Sequence, residues 1–441
     1  MTRAVDHGSA QVVGDRLHRA APPNAWLHVS RAAGNAALGA VHQAAGPLSA
    51  QRAPKLDPAK VATAAQQAHA SADAAQALSM LRWLTGLPWP MGALVQLQLM
   101  AGVQVGVDSS GNPVQAHVFP GQITEVAMVV AGVHGSEQSG VEVAERLLKQ
   151  LMTTKPYFTV VIVPKLFPGN VDSRAAWEAD LARKQSGIAV GKYQQLRDKA
   201  GDIGRSSAGQ EDPNRQFPDL GKDLDLDRPV DAKGRLIEPS NLALLGLINA
   251  FKPSRLVSIH AVKNFTQAGI FADPHPSVRN SQLAQDSDAL AIAMAKEAEK
   301  RGVHVAGNKR GTAWSSLYPG QDPKKSAEQI KRENAKGRSL GQWGPSQGMT
   351  VITVEVGEQY RSNSAVNDPD RAAELEAEAG VIREIFLGPP QATPTPTPAP
   401  TPAVPVQPML VAAAAAGVGN VAATDLAQRF MRYRRGMDGG P

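Results

Sequence analysis

The chain has 441 residues, no cysteine and a formal net charge of +6, with 42% hydrophobic and 20% charged residues. That is a globular balance in a chain longer than one ordinary domain, and the missing cysteines exclude both a disulfide framework and a thiolate metal site. No dense Lys/Arg block or aromatic-interleaved basic run is present, which gives nucleic-acid binding no support. No uninterrupted apolar stretch reaches the ~20 residues of an integral membrane span.

Residues 1–57 are rich in alanine, proline and glycine and form a low-complexity segment with little periodicity outside 29–41. The first twenty residues lack the apolar h-region of an ordinary signal peptide, so a cytoplasmic location or export by another route is expected. Residues 27–38 (LHVSRAAGNAAL) resemble a short Arg-x-Ala-Gly-Asn-x-Ala segment near the start of bacterial toxins and cargo of contractile injection systems. A plain helix with a glycine kink is the other reading. Residues 58–91 are alanine-rich and predict a helix over 59–84, stopped by Gly86, Pro88 and Pro90. A hairpin is predicted over 103–119 with its turn at 108–112 (DSSGN), where the sheet of a central domain, 92–388, begins.

The run 126–133 (VAMVVAGV) reads as a strand buried on both faces. After a glycine break, Val141, Ala144, Leu147, Leu148 and Leu151 recur on one helical face. His134 and Glu137 therefore sit on a turn at the carboxyl end of a strand, where open α/β sheets place their sites. Their nitrogen and oxygen suit one cation such as zinc, which wants a third protein ligand and an open position. A His-x-x-Glu pair alone is usually incidental. Further on, 241–251 (NLALLGLINAF) predicts a crossover helix and 255–260 (RLVSIH) a strand that ends in His260. His260 is either the third ligand or a histidine capping a strand end. The strand 349–356 (MTVITVEV) carries one acid, Glu355. A buried carboxylate without a partner is costly, so Glu355 is either catalytic or paired with an arginine. Two imidazoles, one ligand carboxylate and one base are the minimum set for metal-assisted hydrolysis.

A last amphipathic helix is predicted over 371–387. Residues 389–408 are a Pro/Thr-rich linker, a semi-rigid spacer of about 60 Å if fully extended as polyproline II. Residues 409–441 form an alanine-rich tail with Arg429, Arg432, Arg434 and Arg435 near its end. These arginines complement a helix dipole or serve as a docking or export tag.

In this order the motifs resemble the zinc carboxypeptidase family of metallopeptidases, built on His-x-x-Glu followed far downstream by a single histidine. The resemblance covers roughly 100–388. It implies an α/β fold, a mixed, largely parallel central sheet flanked by helices; outside that region both ends are expected to be helical or disordered extensions. It also implies one zinc per chain on His134, Glu137 and His260, with Glu355 as the base. Residues 205–218 (RSSAGQEDPNRQFP) resemble the family segment with an arginine, then Asp-Leu-Asn-Arg and Phe-Pro, with Pro213 in place of the leucine. By that likeness Asn214 and Arg215 grip a substrate's terminal carboxylate and Arg205 polarises the scissile carbonyl. The family's tyrosine before the catalytic glutamate has only Tyr318 as its nearest counterpart, separated from the next motif by the polar stretch 321–338.

Residues 339–354 (SLGQWGPSQGMTVITV) resemble the Ser-Leu-Gly-x-Trp stretch of bacterial members that act on peptidoglycan stem peptides, at the D-glutamyl-diaminopimelate bond or at a terminal residue. Trp343 is read as packing under the site. The expected function is hydrolysis of a peptide or amide bond near a free carboxylate in a peptide or muropeptide, in a protein delivered as an effector by an injection or secretion apparatus. Removal of an acyl group from a small N-acyl amino acid is the alternative within the enzyme class. A non-catalytic component of a secretion or phage-tail-like apparatus is the alternative outside it. Lys263, Asn264 and Gln267 are candidate lining residues.

Overall fold

The computed structural model describes residues 56–86, 91–184, 195, 203–206, 211–263, 265–273, 281–309, 335–357 and 369–390. Residues 1–55 and 391–441 lie outside them, and with them the injection-cargo-like segment, most of the linker and the basic tail. Asn264 and Tyr318 also fall outside the described residues.

Helix α1 (Pro58–Leu84) begins where Asp57 accepts a hydrogen bond from the Ala59 amide, with proline in the first turn where its missing N–H costs nothing. A second helix, α2 (Met91–Ala101), escapes periodicity because its apolar residues are spread around the axis. Strands β1 (Val103–Val107) and β2 (Pro113–Phe119) form the expected antiparallel hairpin. Asp108 closes its turn by accepting from the Ser110 and Asn112 amides, each at 2.9 Å. Then follow β3 (Val126–Ala131), α3 (Gln138–Leu151), β4 (Thr159–Val163), α4 (Pro168–Lys184), α5 (Pro239–Phe251) and β5 (Arg255–Val262). The described chain continues with β6 (Gly269–Ala272), α6 (Gln282–Lys300), α7 (Leu340–Ser346) and β7 (Thr350–Gly357). Helix α8 (Pro369–Val381) closes it and runs on as a π-turn, Ile382–Phe386.

The seven described strands make one sheet in the order β1-β2-β4-β3-β5-β7-β6. Strands β4, β3, β5 and β7 are parallel to one another, and β1, β2 and β6 pair antiparallel at the edges. The mixed, largely parallel sheet that the family resemblance implies is therefore present.

Helices cover both faces. On one, Val257, Ile259 and Ala261 of β5 and Ile352, Val354 and Val356 of β7 pack with α3, α6 and α8. On the other, Leu256 and Val351 join α1, α2, α5 and α7, with Ala68, Ala75 and Leu78 supplied by α1. Side chains alternate along a strand, so Ser258 and His260 follow Leu256, while Thr353 and Glu355 follow Val351. That second face turns from apolar to polar toward the carboxyl ends of β5 and β7. The site lies there.

Candidate metal centre and active site

His134 follows β3 after Gly132, whose φ of +68° lets the chain turn off the strand end. Glu137 is the N-cap of α3, where the helix dipole favours its negative charge. The register of the parallel pair β5–β7 sets His260 directly against Glu355. Thus three sheet elements converge at one edge, as the apolar strand runs predicted. One ligand atom each from His134, Glu137 and His260 lies within 4.8 Å of the others. Glu137 bridges the two rings, with Oε1 2.7 Å from His134 Nδ1 and Oε2 2.8 Å from His260 Nδ1. The Ala261 amide also donates to Oε2, at 3.2 Å.

The far side of each ring is held as well. His134 Nε2 lies 2.8 Å from Asp212 Oδ1, and His260 Nε2 lies 3.0 Å from Ser258 Oγ. With both Nε2 atoms engaged, both Nδ1 atoms face the shared carboxylate. Outer partners of this kind fix the tautomer and orientation of metal-ligating histidines. Two imidazoles and a carboxylate, each oriented from behind, fit one zinc with an open coordination position. His134, Glu137 and His260 thus form a group that can hold one metal ion.

The site is strongly polarised. Burial pulls the pKa of His134 down, but the charge of Glu137 and hydrogen bonds to Asp212 and Glu137 overcome it and lift it to about 9, with Arg205 opposing. Burial opposes the charge on Glu137, yet the two flanking histidines hold its carboxyl well below the usual range. Asp212 is likewise held low against burial by His134 and by the nearby charges of Arg215 and Arg205.

Arg205 reaches the same centre. Its guanidinium donates to Glu137 Oε1 at 3.3 Å and to Asp212 Oδ2 at 3.2 Å. Its segment can come this close because Gly135 and Gly204 meet backbone to backbone. A Cβ on Gly135 would lie 2.5 Å from the Gly204 carbonyl oxygen, and one on Gly204 would lie 2.5 Å from that of Asn170.

Asn214 and Arg215 sit in a short 3-10 turn after Asp212, which caps it by accepting from the Asn214 amide at 2.9 Å. The Arg215 carbonyl is clamped by Arg235 at 3.0 Å, and Asn241 Nδ2 donates to the Pro213 carbonyl at 2.9 Å. Glu355 is buried on β7, two residues beyond Thr353, whose hydroxyl donates to Asp273. Trp343 is buried and stacks on Phe217 with ring centres 5.9 Å apart, the packing role read from the sequence. Lys263 and Gln267 are exposed, and no described contact ties either to the centre.

Sequence reasoning passed over Asp212 and Ser258. Asp212 was legible as the acid two positions before Asn214, given that ligand histidines generally pair with a carboxylate. Ser258 carries no comparable signal, since a serine inside a strand is common.

No family model matches the chain, and no curated protein matches it. Among solved structures it is similar to the murein-tripeptide amidase MpaA from Escherichia coli O157, at 19% identity over 64% of this chain and 91% of that one, with a TM-score of 0.36. It is also similar to a metallo-carboxypeptidase from Burkholderia cenocepacia, at 15% identity over 66% and 67% of the two chains, with a TM-score of 0.38. A third is carboxypeptidase A from Helicoverpa armigera, at 12% identity over 67% and 71%, with a TM-score of 0.38. The chain is similar to carboxypeptidases and to a murein amidase. At such identities and scores, its chemistry rests on its own residues.

Proposed function

We propose that the chain is a zinc-dependent hydrolase of the zinc carboxypeptidase type. In this reading it cleaves an amide bond next to a free carboxylate in peptidoglycan stem peptides. The observation that carries the reading is the convergence of His134, Glu137 and His260 within 4.8 Å, with Glu355 paired beside His260 at the same sheet edge.

Zinc on His134, Glu137 and His260 supplies Lewis acidity to a water and to a carbonyl oxygen when bound. Glu355 takes one proton from the water as its oxygen attacks the carbonyl carbon, then delivers that proton to the departing amine as the C–N bond breaks. Arg205 stabilises the oxyanion that develops, an effect worth about 2.7–4 kcal/mol per donor in water-excluded sites. Asn214 and Arg215 hold the free carboxylate, Arg215 by a two-pronged guanidinium contact, so that cleavage occurs at or near a peptide end. The Ser-Leu-Gly-x-Trp stretch at 339–343 supports a stem-peptide substrate, and the 27–38 segment supports delivery as an effector.

Mass spectrometry of purified muropeptides digested with and without a zinc chelator tests this reading. Loss of a diaminopimelate-containing fragment, abolished by chelator and restored by zinc, is expected. Muropeptides left intact while an N-acyl amino acid is cleaved would replace the substrate assignment with deacylation.

A further inference from the structure

Helix α7 is too short to be explained by its own stability, yet it is heavily braced. Ser339 caps it: its hydroxyl accepts from the Gln342 amide at 3.2 Å, and the Gln342 side chain accepts from the Ser339 amide at 3.1 Å. Trp343 anchors it to the loop after Asn214. The indole N–H donates to the Lys222 carbonyl at 3.0 Å, and the ring stacks on Phe217. The Phe217 amide donates to the Arg338 carbonyl at 3.2 Å, and the Gly221 amide donates to Ser346 Oγ at 3.0 Å.

The first-turn amide that this bracing aims is that of Leu340, which has no partner within the helix. It donates to Asn214 Oδ1 at 3.1 Å. A backbone N–H can only donate, so the amide oxygen of Asn214 must face α7 and its Nδ2 must be turned away. Nδ2 is the donor that a carboxylate needs. Residues 347–349 then lead into β7, which carries Glu355.

We propose that α7 is a positioning device for carboxylate recognition, in which the Leu340 N–H, held by the Ser339 cap and the Trp343 anchor, locks the Asn214 amide with Nδ2 toward the ligand. It sets the preference for a free carboxylate over a neutral end. This rests on the reading of Asn214 and Arg215 as the carboxylate grip.

The test compares Leu340→Pro with Leu340→Ala in zinc-loaded, full-length protein. Both lose the buried leucine side chain, but only the proline loses the N–H. Proline suits the first helical position, and Ser339, with ψ 164°, already has the extended conformation that precedes proline. The probes are a D-glutamyl-diaminopimelate peptide with a free terminal carboxylate and the same peptide as its carboxamide. They are followed by kcat and KM, and by calorimetric binding in a Glu355→Gln background. Relative to Leu340→Ala, Leu340→Pro is expected to raise KM and Kd for the free acid by about tenfold, the loss of one hydrogen bond to a charged group. Its kcat should stay within about twofold and its carboxamide binding should be unchanged. Equal acid-to-carboxamide ratios in the two variants would overturn the role of α7 alone. No preference in the wild-type chain would overturn the carboxylate grip itself, and this proposal with it. If Leu340→Pro does not fold, Trp343→Phe keeps the stack and loses the Lys222 contact. A smaller rise in free-acid KM at constant kcat is then expected, and an unchanged KM overturns the proposal.

Discussion

Asp212 Oδ1 stands 2.8 Å from Nε2 of His134, on the side of the ring opposite Glu137. The contact spans 78 residues of sequence and joins the turn after β3 to the loop that carries Asn214 and Arg215. One carboxylate thereby orients a candidate metal ligand and caps the turn that presents the candidate carboxylate grip.

The wild-type chain is expected to bind one zinc, and Asp212→Asn to bind it with a Kd raised about 10- to 100-fold, the usual effect of losing an outer-shell partner. Competition against a chromophoric chelator measures this. The doubly substituted His134→Ala/His260→Ala chain should hold none, and full occupancy there would refute the ligand assignment.

Arg215→Ala should raise KM for peptides with a free terminal carboxylate by about 10- to 100-fold, from ~1.5–3 kcal/mol for hydrogen bonds to a charged group. The carboxamide of the same peptide should be hardly affected. Steady-state kinetics on the pair decides the point, and a parallel loss on both would assign Arg215 a structural role.

Glu378, buried on α8, supplies a pH dependence through a residue that is not part of the His134–Glu137–His260 group. Burial raises its pKa from 4.5 to about 8, with Arg371 opposing and Glu374 adding to the rise. The folded chain then keeps a proton that the unfolded chain has released, so stability falls as pH climbs between about 4.5 and 8. Glu378→Gln should remove that slope. Thermal melts of the two proteins should converge near pH 4.5 and separate by pH 8, on the order of a few kcal/mol in favour of the glutamine variant. Parallel curves across that range would show that Glu378 is charged when folded.

Leu78 of α1 is fully buried in the cluster shared with α5 and the sheet. Leu78→Ala should lower the stability of the main unfolding transition by about 2–5 kcal/mol, as for other core leucines. Calorimetry would instead show a separate, earlier transition if α1 were an independent unit.

The four residues His134, Glu137, His260 and Glu355 were legible because each marks a break in an apolar pattern. His134 and Glu137 follow the run 126–133, while His260 and Glu355 stand at or near the carboxyl ends of the strand runs 255–260 and 349–356. The apolar runs before them placed them at strand ends, and the mixed, largely parallel architecture followed from the family resemblance that these motifs carry. Helix α2 left no trace because its apolar residues lie all round it. The approach of Arg205 was equally hidden, since it depends on two glycine backbones, Gly135 and Gly204, meeting across 69 positions of chain. The aim of the Leu340 amide depends on a cap, a stack and a loop coming together. Such long-range contacts have no periodic signature.

The chain is expected to hydrolyse by a metal held on His134, Glu137 and His260 and a proton carried by Glu355. Glu355→Gln separates the two functions, since an amide cannot accept the proton and Glu355 is not assigned as a ligand. Zinc content and muropeptide turnover are therefore to be measured on the same preparation of this variant. One zinc per chain with turnover reduced at least about 100-fold is expected. Wild-type turnover with zinc in place would contradict it.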